Sequence, residues 1–472
     1  MPAVVLAAVW LTAGGAAAQT TVYEGGRLIA GDGTVVENSA FVVENGRFTA
    51  AGRRGEVAVP AGAVRVDLTG RTVMPTLVDL HGHFGFQDVA AGAMSKATFT
   101  RDNLVDHLRR LAFHGVGAVV GVGDLVDRSD LQGGRTGWGD TVLRVREEVI
   151  PGAALFKTSG AGMAWPGAGA QGDPSRVDVA YPVSTPEEAR AAVADYVRIA
   201  PQFIKIWVDD RSGRIKTLTP PLYGAILEEA HRFGVPVAVH NVRLADAKEL
   251  VRGGVEGWMH VPVRDGETAD DELLGLVRDR VARGDRPRMW MTLSLITAWM
   301  NMHGGGHPDF LDDPLLAATY APAQIEKYWG EPLRTMTPER VARAKAGFAS
   351  DAASAMRLRA AGIRVVGGTD TGQNRFLIGY FNHLDLESMV AAGMTPLEAI
   401  TAATRDGADI AGFNTGLVAA GRNADFMVLD ADPRESIANT RRIARVFLRG
   451  EEVPREALAA KWRREFRPEP AN

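Results

Sequence analysis

The sequence predicts an α/β protein: a (β/α)8 TIM barrel with a small β-sandwich domain formed from both chain ends. Three observations support this prediction. Eight apolar segments that resemble buried strands alternate with helical segments between residues 73 and 412, which is typical of a parallel sheet with helical crossovers. Short strands with glycine turns lie on either side of that region. No glycine-rich phosphate loop follows the first strand, which disfavours a doubly wound open sheet.

The composition is that of an ordinary globular protein, and it excludes several functions. At 472 residues the chain is too long for one ordinary core, so a large barrel with an accessory domain is expected. The net charge is −4 and no basic block stands out, so nucleic acid is not an expected partner. Cysteine is absent, which excludes disulfides and thiolate ligands and leaves histidine and carboxylate as the expected metal ligands.

The first 18 residues are apolar, rich in alanine and free of charged side chains. They end in Gly15-Ala16-Ala17-Ala18, a run of small residues that suits cleavage by signal peptidase after Ala18. We therefore predict a signal peptide at 1–18 and export to the bacterial periplasm, although the segment lacks the usual basic start. The alternatives are a short anchor or a buried first helix, with a cytoplasmic location if the segment is not cleaved. No other stretch is apolar enough to span a membrane.

The β-sandwich is predicted to combine residues 19–72 with residues 413–453, and neither part contains obvious catalytic residues. Its strands are expected at 25–29, 40–44, 64–68, 424–429 and 442–448. Asn45-Gly46 is a hairpin turn signal. We expect the C-terminal strands to pair with the N-terminal ones, and the remaining tail, 454–472, to begin as a helix.

The predicted barrel covers residues 73–412. Its strands are expected at 73–83, 116–123, 153–157, 203–209, 236–240, 257–261, 288–295 and 364–369, and helical patterns lie between most of them, as at 186–199, 221–233 and 338–361. Two long connections, 158–184 and 296–337, interrupt the alternation. The second is rich in aromatic residues, so we predict a lid or pocket wall over the barrel mouth, where barrel active sites are built.

The first barrel strand ends in Asp79-Leu80-His81-Gly82-His83. Residues two apart in a strand share a face, so His81 and His83 can converge on one point beyond the strand end. Neutral imidazoles that bind zinc need that convergence, at about 2.0–2.1 Å per Zn–N bond. Two ordinary polar residues in a turn would give the same pattern, so the motif gains weight from the residues that follow it.

Lys205 lies in the middle of the apolar strand at 203–209, where a lysine is costly unless it is neutral or paired. One interpretation is a buried ion pair with Asp209 or Asp210. The other is that desolvation lowers the pKa of Lys205, so that the neutral amine takes up CO₂ and becomes a carbamate whose two oxygens bridge two metal ions.

Three further residues of metal-ligand type end later strands. His240 and His260 follow two consecutive strands at the same end as the first histidine pair, as ligands of a second metal would. Asp370 ends the eighth strand, where a carboxylate can hold a metal and also take a proton from water. A helix N-cap is the alternative for Asp370.

The motifs that follow one another along the chain are Val73-Met74-Pro75, Asp79-Leu80-His81-Gly82-His83, Lys205, His240, His260, Asp370, His383-Leu384-Asp385-Leu386, residues 392–400 and Gly421-Arg422-Asn423-Ala424-Asp425-Phe426. In this order they resemble the amidohydrolase superfamily, in its imidazolonepropionase-like and Xaa-Pro-dipeptidase-like branch. The resemblance covers nearly everything after residue 18. Two residues depart from the family pattern: Thr76 stands where glycine is usual, and Asp385 stands where glutamate is usual.

The resemblance implies a metal-dependent hydrolase with two divalent ions, zinc being the expected metal. It assigns one ion to His81, His83, carboxylated Lys205 and Asp370, and the second to Lys205, His240 and His260. We expect a bridging hydroxide to attack an amide-type carbonyl, with Asp370 acting first as base and then as acid.

Two other functions are considered. One is a mononuclear hydrolase, deaminase or lactonase that uses His81, His83, His240 and Asp370 and tolerates the loss of Lys205. The other is a non-catalytic structural relative, which would have lost metal ligands, whereas all six are present here.

The substrate is expected to be a small molecule: a dipeptide, an N-acyl amino acid or a cyclic amide. Candidate contacts are His383, Arg375, Tyr380 and His303, with His307, Arg211 and Arg243 as further possibilities. For His383 the alternative is a helix residue that faces the core, and for His303 and His307 it is a surface polar residue in a flexible loop. For each arginine it is a solvated surface charge. Whether the protein forms a homo-oligomer is left open.

Overall fold

The computed structural model describes residues 20–124, 138–169, 179–264, 266–284, 289–372 and 377–466. The predicted signal peptide at 1–18 and the candidate substrate contact Arg375 lie outside these residues, so both stay predictions. Within the described part of the chain, no helix is both long and apolar enough to cross a lipid bilayer.

The described residues form strands of two to seven residues. They are β1 Thr21–Glu24, β2 Arg27–Ile29, β3 Val35–Val36, β4 Ser39–Glu44, β5 Arg47–Arg53, β6 Val64–Asp67, β7 Thr72–Pro75, β8 Leu77–Gly82, β9 Gln87–Asp88, β10 Ala93–Met94, β11 Val116–Gly121, β12 Leu155–Thr158, β13 Met163–Ala164, β14 Tyr181–Pro182, β15 Ile204–Val208, β16 Val237–Asn241, β17 Gly257–Trp258, β18 Trp290–Thr292, β19 Arg364–Val366, β20 Phe426–Leu429, β21 Ile443–Leu448 and β22 Glu451–Glu452.

Helices separate most of the central strands. They are α1 Arg101–Phe113, α2 Trp138–Glu147, α3 Pro186–Tyr196, α4 Pro220–Arg232, α5 Leu244–Arg252, α6 Asp271–Arg283, α7 Ile296–Asn301, α8 Pro314–Ala317, α9 Pro322–Ile325, α10 Glu331–Arg334, α11 Pro338–Ala361, α12 Tyr380–Ala391, α13 Pro396–Thr401, α14 Gly407–Ala411 and α15 Arg455–Glu465. Short 3-10 turns occur at Val197–Ile199, Asp309–Asp312 and Ile437–Arg441, and π turns at Glu326–Gly330 and Ala402–Asp406.

The central strands form two parallel sheets, so the fold is α/β and of a kind consistent with a TIM barrel. One sheet has the order β12-β11-β8 and the other the order β14-β13-β15-β16-β17-β18-β19. Backbone hydrogen bonds from Leu80 N to Gly367 O, 3.0 Å, and a parallel bridge between Gly82 and Thr371 join β8 to the segment after β19. The carboxyl ends of the central strands therefore face the same way, as the sequence predicted.

The stretch at 73–83, predicted as one strand, is two. β7 pairs with β20 and β2 in a six-stranded sheet, whereas β8 pairs with β11 in the three-stranded parallel sheet. Pro75 ends β7, and because proline has no backbone N–H, it suits the point where the chain changes partners. The strand that carries the histidines is thus joined directly to the small sheets.

The chain ends meet as predicted. β20, from the C-terminal part, lies between β21 and β7 in the six-stranded sheet, and a four-stranded sheet has the order β5-β4-β1-β6. Aromatic rings from the two sheets pack edge to face: the Phe426 ring centroid lies 5.1 Å from that of Tyr23 and 5.2 Å from that of Phe41. Burial of each such ring stabilises the fold by about 1.5–3 kcal/mol. The Asn45-Gly46 turn has φ values of 50° and 74°, as a type I′ hairpin requires.

The helices begin and end where local chemistry predicts. Thr185 caps α3 by accepting a hydrogen bond from Glu188 N at 3.1 Å, and the Glu188 carboxylate accepts in return from Thr185 N at 3.3 Å. α11 ends at Gly362, whose φ of 117° lies in the region open to glycine. These caps fix where the helical crossovers return the chain to the next parallel strand.

Candidate metal centre

The end of β8 and the segment after β19 hold three candidate ligands together. Asp370 N donates to His81 O and His83 N donates to Thr371 O, each at 2.7 Å, so the two backbones run side by side. This pairing turns the Asp370 carboxylate towards both rings: its Oδ1 lies 2.8 Å from His83 Nε2 and 3.3 Å from His81 Nε2. One donor atom from each of the three residues lies within 4.8 Å of the others.

Asp370 has a backbone conformation that L residues seldom adopt. Its φ is 58°, in the left-handed region, where strain is characteristic of functional sites. Glycines on both sides permit the close packing, as the sequence predicted. A Cβ atom at Gly372 would lie 1.8 Å from His83 O, and one at Gly368 would lie 2.3 Å from Thr292 Cγ2.

The hydrogen bonds of His83 determine which ring nitrogen is free to bind a ligand. Its Nδ1–H donates to Val122 O, so the lone pair of the neutral ring is on Nε2, the atom that faces Asp370. A lone pair and a carboxylate oxygen are both acceptors, and their approach at 2.8 Å calls for a positive charge between them. A second ring proton or a divalent cation supplies that charge, and two imidazoles with a carboxylate are a donor set that fits a metal ion.

The other predicted ligands lie beside these three. Lys205 is in the centre of β15 with 1% exposure, His240 lies in β16, and His260 follows β17. The His260 ring centroid is 4.9 Å from that of His81 and 4.8 Å from that of His240. The structure therefore brings His240 and His260 beside the first histidine pair. Lys205 is close enough to His81, His240 and His260 for its charge to contribute to the lowering of their pKa values.

Two ring nitrogens in this cluster are buried without a hydrogen-bond partner among the described residues, namely His81 Nδ1 and His260 Nδ1. A buried polar atom that lacks a partner costs about 1–3 kcal/mol. A site that tolerates two such atoms within one cluster of histidines is typical of a place where a ligand completes the coordination.

Burial keeps the histidines neutral, which is the form that binds metals. It lowers the pKa of His81 well below its usual range, against the opposing effect of the Asp370 carboxylate. It lowers the pKa of His240 to about 3 and that of His260 well below its usual range. The rings are thus available as ligands at neutral pH without first losing a proton.

Two carboxylates that support the cluster were not predicted as functional. Asp79 is fully buried and accepts from His81 N at 2.9 Å, Thr369 Oγ1 at 2.6 Å and Asn382 Nδ2 at 2.8 Å. Asp209 accepts from His240 Nε2 at 3.0 Å. An acid two residues before His81 in a buried strand was the available signal for Asp79.

Two of the predicted substrate contacts, His383 and Tyr380, are hydrogen-bonded within the core. His383 is buried, with Nε2 donating to His114 O at 3.0 Å and Nδ1 accepting from Thr440 Oγ1 at 3.1 Å, which favours its core alternative. Tyr380 is also buried, and its hydroxyl donates to Phe310 O at 2.9 Å and accepts from Arg441 at 2.8 Å.

Because the side chains of His383 and Tyr380 are hydrogen-bonded within the core, neither is placed as a substrate contact. His303 is exposed and donates from Nδ1 to Trp299 O at 2.7 Å. The arginines Arg211 and Arg243 form ion pairs with Asp209 and Asp210, each at 2.8 Å.

The connection at 296–337 is a series of short helices braced against the rest of the molecule. Gln324 Nε2 donates to Val89 O at 2.6 Å, and Tyr320 accepts from Ile378 N at 2.6 Å. Trp329 packs on Phe381 with 5.7 Å between ring centroids. These contacts tie the segment to the residues after β9, to α12 and to the residues just before α12. Its role as a lid or pocket wall stays a prediction.

Comparison with known proteins gives the following matches. The model of the amidohydrolase family matches residues 72–453. No curated protein matches the chain. A protein provisionally assigned as a prolidase from Bifidobacterium longum is 24% identical with a TM-score of 0.67, and the match covers 94% of this chain and 99% of that one.

Two further solved structures share the fold. A Xaa-Pro dipeptidase with methionine bound in its active site is 21% identical, with a TM-score of 0.65 and coverage of 92% of this chain and 99% of that one. An ochratoxinase from A. niger is 20% identical, with a TM-score of 0.65 and coverage of 92% and 95%.

Proposed function

Because this chain belongs to the amidohydrolase family and is a hydrolase that acts on carbon–nitrogen bonds, we propose that it cleaves an amide-type bond in a small molecule. A dipeptide, an N-acyl amino acid or a cyclic amide is the substrate class. The observation that carries this proposal is the gathering of donor atoms from His81, His83 and Asp370 within 4.8 Å. The structural similarity to a Xaa-Pro dipeptidase supports dipeptides as the first substrates to test.

We propose two divalent metal ions as cofactors, with zinc as the expected metal. His81, His83, Lys205 and Asp370 would hold one, and Lys205, His240 and His260 the other, with Lys205 carboxylated as the ligand common to both. When bound, such ions lower the pKa of a coordinated water and polarise a carbonyl oxygen.

The chain's own residues supply position and proton transfer. Asp370 is the proposed base and then acid, because its carboxylate is partly exposed, at 19%, while it remains in contact with both histidines. Its left-handed backbone, set by the bonds to His81 and Thr371, holds the carboxylate at that point. Burial lowers the pKa of His81 well below its usual range, so this ring competes poorly with the carboxylate for a proton.

The finer architecture is also a proposal. We infer that the two parallel sheets close into a (β/α)8 barrel over residues 73–412, supported by the hydrogen bonds between β8 and the segment after β19. We infer that the two small sheets form one β-sandwich from 19–72 and 413–453, supported by their shared aromatic core. Export of the chain after removal of 1–18 completes the proposal.

A hydrolysis screen tests the function. Purified protein is assayed against Xaa-Pro dipeptides and N-acyl amino acids, and its metal content is counted. We expect hydrolysis of at least one class and about two metal ions per chain. Asp370→Asn should reduce kcat about 100-fold or more, whereas the control Asp312→Asn, at a surface carboxylate paired with His307, should not. Full activity of Asp370→Asn would contradict the assigned role.

The mononuclear alternative rests on a specific observation. Among the described residues, the three-residue group of His81, His83 and Asp370 is the one whose donor atoms all lie within 4.8 Å. A hydrolase, deaminase or lactonase with one ion would bind about one metal per chain and keep its activity in Lys205→Ala. The proposed two-metal site instead requires that Lys205→Ala lose activity, with Lys157→Ala, a half-buried lysine in β12, as the control.

A further inference from the structure

We propose that Asp209 is a positioning residue that fixes the ring of His240 so that Nδ1 is the atom presented for metal binding. The inference rests on the proposed metal-dependent function and adds a residue to it. His240 Nε2 lies 3.0 Å from Asp209 Oδ2. Because a neutral imidazole carries one proton, a ring that donates from Nε2 has its lone pair on Nδ1.

His240 differs from its neighbours in how its ring is held. His83 donates from Nδ1 to a backbone carbonyl, Val122 O, which no side-chain substitution removes. His81 and His260 each have a buried Nδ1 without a hydrogen-bond partner in the described structure. His240 differs from these rings because its Nε2 contacts a carboxylate, Asp209, that is not itself a proposed metal ligand. Its orientation therefore depends on a side chain that can be changed without removing a ligand.

The Asp209 carboxylate is itself fixed from two directions. Asp209 directly follows β15, the strand of Lys205, and is 8% exposed. Arg211 donates to Asp209 Oδ1 from its backbone N and lies with its guanidinium Nη1 2.8 Å from Oδ2. Thr217 Oγ1 accepts from Asp209 N at 2.9 Å. The carboxylate is thus held in one orientation before any ligand arrives.

The loop that provides these contacts folds back on itself. Arg211 and Ser212 have φ values of 53° and 59°, both in the left-handed region. This conformation returns Arg211 to the carboxylate two residues before it, where its charge offsets the negative charge placed next to the cluster. A carboxylate hydrogen-bonded to a histidine ligand orients the ring and raises its basicity, and its loss typically weakens metal binding by about 10–100-fold.

Asp210 is a matched control, because it is the same residue type one position along the chain. Its carboxylate pairs with Arg243 at 2.8 Å, and that arginine side chain is 51% exposed. Exposed pairs of this kind contribute little to stability. A change at Asp210 therefore removes the same charge from the same loop while leaving the hydrogen bond to His240 in place.

The test measures zinc affinity by competition with a chromogenic chelator in Asp209→Ala, Asp209→Asn, Asp210→Ala and wild-type protein. We expect zinc affinity to fall about 10–100-fold in Asp209→Ala and to stay within about twofold of wild type in Asp210→Ala. The zinc affinity of Asp209→Asn, which keeps the shape and one acceptor oxygen, should lie between those of Asp209→Ala and Asp210→Ala. If the alanine variant does not fold, Asp209→Asn tests the inference in its place.

Thermal unfolding of the metal-free proteins separates positioning from a purely structural role. Weakened zinc binding with little change in metal-free stability supports the inference. Unchanged affinity in both Asp209 variants, or equal losses in Asp209→Ala and Asp210→Ala, would overturn it while the proposed function stands. Wild-type protein that binds no divalent metal would overturn the proposed function itself, and this inference with it.

Discussion

The two halves of the candidate metal centre are held in different ways. The β8–β19 half is formed by His81, His83 and Asp370. Backbone hydrogen bonds join β8 to the segment after β19, and one donor atom from each of the three residues lies within 4.8 Å of the others. In the β15–β17 half, formed by Lys205, His240 and His260, parallel strands bring the side chains together, and Asp209 is the carboxylate that orients a ring.

The difference shows that pairing of neighbouring strands is enough to gather ligands, but fixing their orientation needs further contacts. Asp79 supplies such contacts to the first half, because one carboxylate accepts from β8, from the segment after β19 and from α12. We expect the first half to be preorganised for a cation, and the second to depend on fewer side chains. Three predictions test this contrast.

The largest effect is expected at Asp79. Asp79→Ala leaves the buried donors of His81 N, Thr369 Oγ1 and Asn382 Nδ2 without their acceptor, so the free energy of unfolding should fall by about 3 kcal/mol or more. Urea denaturation measures it. The control Thr369→Val, which removes one of these bonds, should lose about 1 kcal/mol. Equal losses in the two variants would show that Asp79 does not join the three elements.

A smaller effect is expected from acid at His107. Gly85 N donates to its Nδ1 at 3.0 Å and its Nε2 donates to Gln87 O at 2.7 Å, so this neutral ring holds the loop after His83. Burial lowers the pKa of His107 from 6.5 to about 4. The folded state therefore resists protonation, and the ring's contribution is complete above pH 6.5 and is lost as the pH falls towards 4.

The measurement compares wild type with His107→Gln by denaturation at several pH values. Between pH 6.5 and 4, wild type should lose about 2 kcal/mol more stability than the variant, because glutamine has no charge to gain. If the stabilities of wild type and His107→Gln fall equally with pH, protonation of His107 does not weaken the loop that supports the β8–β19 half.

The smallest effect concerns the order of metal loss. Because its donors are preorganised, the β8–β19 half should bind its ion about tenfold more tightly than the other half, a difference of about 1.4 kcal/mol. Titration of the holoenzyme with dipicolinate, with metal counted after gel filtration, should release one equivalent before the second. Release of both equivalents at the same chelator concentration would remove the distinction between the halves.

Much of this architecture could be predicted from the sequence, because the spacing of apolar residues and the position of a residue within a strand depend on its neighbours in the chain. Each of the eight predicted central segments contains a strand, whereas the two-residue strands β13 and β14 lie in the predicted connection 158–184 and were missed. Ligands at the carboxyl ends of parallel strands must lie at one edge of the sheet. The His81–His83 spacing, the lysine in β15 and the histidines of the next two strands led to the cluster without knowledge of any distance.

Other features depend on partners distant in the chain and could not be predicted. The sequence left His383 open between a substrate contact and a helix residue that faces the core, because its partners, His114 O and Thr440, come from two other parts of the chain. The same holds for Tyr380 and Arg441. Asp209 resembled a partner for Lys205, and only the loop geometry turns it towards His240.

The pairing of β7 with β20 has a consequence for biosynthesis. The strand that leads into His81 and His83 joins its neighbour at Phe426–Leu429 only when nearly the whole polypeptide has left the ribosome. Since nascent chains fold from their amino end as they emerge, β7, the strand just before the histidine-bearing β8, waits for this partner until residues 426–429 have emerged. Prematurely terminated chains that lack this last neighbour would keep every candidate ligand and still lack the frame that seats the first two.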